Sequence, residues 1–115
     1  MNTKIYCDIA DIDLIKKFSK KKIVKGFTTN PSLMRKAGAK DYQFYCKKIL
    51  KVCKNKPVSF EVFGDDYLSM KKQALKIFTL GKNIFVKIPI VNSRGIFSSK
   101  IIKELNKRGI KLNIT

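Results

Sequence analysis

Apolar and polar positions along the chain follow two alternating rhythms. "KIYCDIA" (4–10) reads as a strand, and "DIDLIKKFSKKK" (11–22) reads as a helix. Asp11 stands where an N-cap is expected, and Leu14, Ile15 and Phe18 form an apolar stripe at helical spacing. "VKGFTTN" (24–30) is the next strand. Pro31 then suits a first helical position, and a further helix starts near Asp41 with Tyr42, Tyr45, Cys46, Ile49, Leu50 and Cys53 on one face. "PVSFEVF" (57–63) is a third strand. "DDYLSMKKQALKIFTLG" is a helix with Met70, Ala74, Ile77 and Phe78 inward, closed by Gly81. "NIFVKIPI" (83–90) is a fourth strand, "SSKIIKELNKRG" a helix with Phe97, Ile101 and Leu105 four apart, and "IKLNIT" (110–115) the start of a fifth strand.

Strands alternating with helices at this spacing imply right-handed βαβ units and a parallel sheet. Eight such units would need on the order of 220 residues, the size of a small (β/α)₈ TIM barrel. The chain then holds the first four β/α units and the opening of strand five, as one domain over residues 1–115. A doubly wound open sheet is the competing architecture, but no glycine-rich phosphate loop follows the first strand.

The 115 residues carry 26 basic and 8 acidic side chains, a net charge of +18. Almost all the positive charge is lysine, beside abundant Ile, Asn and Phe, a composition that AT-rich coding also produces. Basic runs such as "KKFSKKK" read as solvated helix faces, so specific nucleic-acid recognition is not expected. No apolar run is long enough to span a bilayer, and the start carries early acids rather than a long apolar signal segment. A cytoplasmic protein with no membrane partner is expected. There is no histidine, which excludes an imidazole base, and Cys7, Cys46 and Cys53 form neither a disulfide framework nor a zinc motif.

Lys87 breaks the apolar run "NIFVKIPI". If that strand is covered on both faces, an ammonium there must be paired with Glu61 or Asp8, or give up its proton. A neutral amine is a nucleophile that forms a Schiff base with a ketone. Such chemistry needs carboxylates to move protons and hydroxyl or amide groups to hold substrate oxygens. Polar residues collect at the C-terminal strand ends, the ligand-binding rim of parallel α/β folds: Asp8, Thr28, Thr29, Asn30, Glu61, Lys87, Asn113 and Thr115. Each also has an ordinary structural use, Asp as a helix cap and Thr or Asn in a turn.

"YCDIADIDLIKK", "GFTTNPSL", "VSFEV", "VKIP" followed by Gly95, and "RGIKLNIT" occur in that order. Together they make the chain resemble the transaldolase family of Schiff-base-forming class I aldolases, along essentially its whole length. The resemblance implies that Lys87 forms the Schiff base and Asp8 is the acid/base at the C4 hydroxyl. It implies that Glu61 and Thr115 hold the catalytic water, and that Asn30, Asn113 and Thr29 bind substrate. The reaction it implies moves a dihydroxyacetone unit between sugar phosphates of the pentose phosphate pathway. Neither a metal nor an organic cofactor is implied, and the full-length form is expected to be a homo-oligomer. Related fructose 6-phosphate aldolases tend to carry glutamine where Glu61 stands; the alternatives are such an aldolase or a non-catalytic basic nucleic-acid-binding module on the same scaffold. Ile9 and Val91-Asn92 depart from the family pattern, which usually has threonines there. The family's phosphate-gripping Ser and Arg belong to later strands, so the 115 residues alone are expected to be inactive, marginally stable and prone to associate as salt rises.

Overall fold

The computed structural model describes residues 3–115. Among the described residues five strands, β1 (Ile5–Asp8), β2 (Val24–Thr28), β3 (Val58–Glu61), β4 (Ile84–Ile88) and β5 (Leu112–Ile114), are connected by five helices, two of them between β2 and β3. These are α1 (Ile12–Ser19), α2 (Pro31–Lys36), α3 (Tyr42–Val52), α4 (Tyr67–Phe78) and α5 (Ser99–Lys107). All neighbouring strands pair in parallel, in the order β1-β2-β3-β4-β5. That sequential order decides between the two expected architectures. A doubly wound sheet reverses direction at a switch point, whereas a barrel wall adds each strand beside the last. The fold is a curled, five-stranded parallel half-barrel of the (β/α)₈ type.

The core lies between the outer face of the sheet and the helices. Phe27, Val58, Phe60, Ile84, Val86 and Ile88 project from the strands, and Ile15, Met34, Ile49, Ala74, Ile101 and Leu105 meet them from the helices. Each large side chain buried here contributes about 1.5–3 kcal/mol relative to exposure. Four helices start with a side-chain cap: Asp11, Asn30, Asp41 and Asp66 each accept the backbone N–H three residues on, at 2.8–3.0 Å. Each such cap is worth about 1 kcal/mol. Because every helix of a parallel half-barrel begins at the C-terminal end of the sheet, capping concentrates acids on that rim.

Several expectations are corrected. α1 stops at Ser19 rather than Lys22, because the Ser19 hydroxyl turns back onto Lys16 O (2.7 Å) and the Lys20 N–H closes on Lys17 O. Leu14 faces solvent, and Ile15 carries the burial of that helix. α4 ends at Phe78 with Thr79 as its cap; Gly81 is not in the left-handed region, and its missing Cβ instead makes room for Leu50 and Asn83. Gly109, φ 75°, does follow α5 as a left-handed C-terminal glycine. Phe97 is not on the α5 stripe. It sits in the β4–α5 connection, bridged to Val91, 69% exposed. β4 is not covered on both faces: Ile84, Val86 and Ile88 are buried, while Phe85 and Lys87 between them are only half-buried.

Candidate active site on the concave face

Period-2 alternation separates each strand's two faces, and the parallel register fixes which residues of different strands stand side by side. With Val58, Phe60, Ile84, Val86 and Ile88 committed to the helices, Ser59, Glu61, Phe85 and Lys87 take the concave face. Asp8 pairs with Thr28, Thr28 with Ser59, and Ser59 with Phe85. One step further along, Glu61 pairs with Lys87 and Lys87 with Asn113. Lys87 therefore stands between a carboxylate and a carboxamide on adjacent strands. Below this row an open cavity of about 460 Å³ is lined by Tyr6, Thr28, Ser59, Phe85 and Asn113, among others.

The polar contacts on this face are short and local. The Thr28 hydroxyl donates to Asp8 Oδ1 at 2.9 Å. Asn113 Nδ2 donates to Ser59 Oγ at 3.1 Å. Burial pushes the Glu61 carboxyl above its ordinary range; the Lys87 ammonium opposes that shift and the Asp8 charge adds to it. Among the described residues the ion pairs are Lys71–Glu104 and Arg108–Glu104, so Lys87 is in neither. The direct Lys87 ion pair weighed from the sequence is therefore not formed, and no hydrogen bond occupies the Lys87 amine among the described residues. With Phe85 and Lys87 facing the open side of the sheet, burial between two covered faces does not apply to this lysine.

The remaining sequence-based candidates divide. Asn30 is the N-cap of α2, its Oδ1 accepting from Leu33 N at 2.9 Å, and among the described residues its amide N–H₂ makes no hydrogen bond. Thr115 follows β5 and is exposed, with its N–H donating to Ile88 O at 3.0 Å. Thr29 is 0% exposed, and its Oγ1 donates to Ser59 O at 2.9 Å, so its hydroxyl is turned into the wall of the sheet rather than onto the concave face. One residue of shift along a strand reverses the face, and the neighbouring Thr28 takes the concave position instead.

Three residues on or behind this face were not picked out from the sequence as site groups. Ser59 lies two before Glu61 and Phe85 two before Lys87, so strand periodicity alone could have placed both. Tyr42 donates its hydroxyl to Glu61 O at 2.6 Å across two elements, a contact no local pattern signals. Among the described residues no group of three or more His, Cys, Asp or Glu side chains is arranged to hold a metal ion. No helix among the described residues is long and apolar enough to cross a membrane.

Known proteins are similar to this chain along nearly all of its residues. The family model described as Transaldolase/Fructose-6-phosphate aldolase matches residues 5–115. A probable transaldolase of Dehalococcoides mccartyi is 38% identical over 112 residues, covering 97% of this chain and 50% of that protein. One from Methanococcus vannielii is 37% identical over 112 residues, covering 97% of this chain and 49% of its own length. The chain thus spans about half the length of the curated relatives it matches. With the match running from β1 to the last residue, over a parallel half-barrel whose rim gathers Asp8, Glu61, Lys87 and Asn113, the chain belongs to the transaldolase/fructose-6-phosphate aldolase family.

Proposed function

We propose that these residues carry the Schiff-base half of a transaldolase-type reaction, moving a dihydroxyacetone unit between sugar phosphates. The observation that carries the reading is the register at the C-terminal end of β4: Lys87 stands on the concave face between Glu61 and Asn113. Lys87 Nζ, once it has given up a proton, adds to the C2 ketone of a ketose phosphate, and the carbinolamine loses water to give a protonated Schiff base. Asp8 takes the proton of the C4 hydroxyl, the C3–C4 bond breaks, and its electron pair moves into the iminium as an enamine. The aldehyde fragment leaves, an acceptor aldehyde takes its place, and the same steps in reverse form the new ketose. Water then hydrolyses the Schiff base.

In this scheme Glu61 and Thr115 hold the water that enters and leaves. The raised proton affinity of Glu61 suits a group that must both give and take a proton. Asn30 and Asn113 bind hydroxyls of the three-carbon unit. Sedoheptulose 7-phosphate or fructose 6-phosphate would be the donor, and glyceraldehyde 3-phosphate or erythrose 4-phosphate the acceptor. Glu61 in place of glutamine favours transfer to an aldehyde over simple aldol cleavage. The deciding experiment is borohydride reduction in the presence of fructose 6-phosphate, followed by peptide mass spectrometry. A covalent adduct on Lys87 supports the reading; an adduct spread over surface lysines, or none, refutes it.

A further inference from the structure

The hydrogen bonds between β2 and β3 advance two residues at a time. Phe27 N donates to Pro57 O at 2.8 Å, and Thr29 N donates to Ser59 O at 3.1 Å. The next rung would run from the nitrogen of residue 31 to Glu61 O. Asn30 is fully extended, φ −153° and ψ 164°, so the backbone keeps the course of the strand up to that nitrogen. Residue 31, however, is proline, which has no N–H to give. The carbonyl of Glu61 loses its ladder partner at the point where its side chain enters the site.

Tyr42, in the first turn of α3, fills that gap: its hydroxyl donates to Glu61 O at 2.6 Å. The Tyr42 ring lies edge-on to Phe63, centroids 5.3 Å apart. From the other side, Gln73 Oε1 accepts the N–H groups of both Phe63 and Gly64 at 2.8 Å. The backbone that follows Glu61 is thus held by two different helices. We infer that Tyr42 is a positioning residue, whose hydroxyl replaces the rung lost at Pro31 and keeps the Glu61 carboxylate in register opposite Lys87. The inference rests on the reading that Lys87 is the Schiff-base amine and that Glu61 serves its water. The groups that face Glu61 are Lys87 from β4, Asp8 from β1 and Tyr42 from α3. Burial, with Cys46 and Glu61 adding to it, pushes the Tyr42 phenol above its ordinary range, so it stays protonated and remains a donor.

Two readouts separate this inference from the reaction itself. The chain has two glutamates, Glu61 and Glu104, so carboxyl NMR of ¹³C-glutamate protein resolves the Glu61 titration without any substrate. In Tyr42→Phe the freed strand end admits water, and the Glu61 midpoint falls toward the ordinary 4.5. In the borohydride assay with fructose 6-phosphate, the rate of Lys87 labelling falls about tenfold while the half-saturating concentration stays within about twofold. Adding Pro31→Ala to Tyr42→Phe restores an N–H at residue 31 and brings both values back toward the original. Should Tyr42→Phe alone fail to fold, recovery of the fold in the double variant supports the same rung. An unchanged Glu61 titration in Tyr42→Phe, or a change that Pro31→Ala does not reverse, overturns the inference. If Lys87 fails to label in the unmodified protein, the reaction is refuted, and the substrate-free titration still decides the role of Tyr42.

Discussion

Gly26→Ala tests how closely β1, β2 and β3 are fitted on the concave face. A Cβ at Gly26 would lie 2.6 Å from Pro57 O and 2.6 and 2.8 Å from Cε2 and Cδ2 of Tyr6. Tyr6 is half-exposed and its ring can swing aside, but Pro57 O is main chain and accepts Phe27 N at 2.8 Å. Relief therefore requires the β2–β3 ladder itself to give. Inserting one methyl against such a neighbour costs about 1–3 kcal/mol. Gly26 is not in the left-handed region, so alanine adds no backbone strain and recovers about 0.4–1 kcal/mol through the unfolded state. The net expectation is a loss of about 1–2 kcal/mol. With a urea m-value near the low end for small domains, about 1 kcal/mol/M, that moves the unfolding midpoint down by about 1–2 M. Urea unfolding followed by circular dichroism measures it. Adding Tyr6→Ala removes the ring contacts and leaves the Pro57 contact, so the cost of Gly26→Ala should persist in that background. A midpoint that stays or rises, or a cost that vanishes with Tyr6→Ala, would refute the assignment of the clash to the backbone.

Thr29→Val removes a buried hydroxyl bond but keeps the shape, and Ser59 O retains the Thr29 N–H. It should cost about 1 kcal/mol in urea unfolding and leave Lys87 labelling intact; lost labelling would return Thr29 to the substrate. Glu61→Gln bears on pH. A carboxyl whose folded-state proton affinity is raised contributes fully below the ordinary value of 4.5, and that contribution is lost as pH rises through the folded value. The variant should therefore gain stability relative to the parent as pH rises above about 4.5, and a difference that does not vary with pH, measured by thermal melts, contradicts the burial argument. Asp66→Ala removes the α4 cap to Ser69 N and should lower the melting temperature; a melt unchanged from the parent would remove the cap from the account. With the later barrel strands supplied, Asp8→Asn should leave Lys87 labelling in place while slowing C–C cleavage, read as release of glyceraldehyde 3-phosphate from fructose 6-phosphate; equal loss of both steps argues against Asp8 as the C4 base.

Much of this molecule is written in short windows of sequence. Alternation in "VSFEV" and "IFVKI", helical spacing from Tyr45 to Cys53, and Asp or Asn ahead of four helices are local signals, because local sterics and capping produce them. Their order, strand then helix repeated, already implies a parallel sheet. What no window contains is pairing between distant strands. Strand order excluded the doubly wound alternative, and register put Glu61, Lys87 and Asn113 in one row although 26 residues separate each from the next. Register also turned Thr29 into the wall and Thr28 onto the concave face, a distinction of one residue that "TTN" does not reveal. The exposed Phe97 shows the same limit, since helical spacing places it with Ile101 but the β4–α5 connection takes it away. Most of all, the bond from Tyr42 to Glu61 depends on a proline that ends one ladder and a helix that returns beside it. Sequence determines which side chains can do chemistry, because that is a property of each residue. Tertiary pairing decides which of them meet, because a rung, a face and a missing donor exist only once distant segments lie side by side.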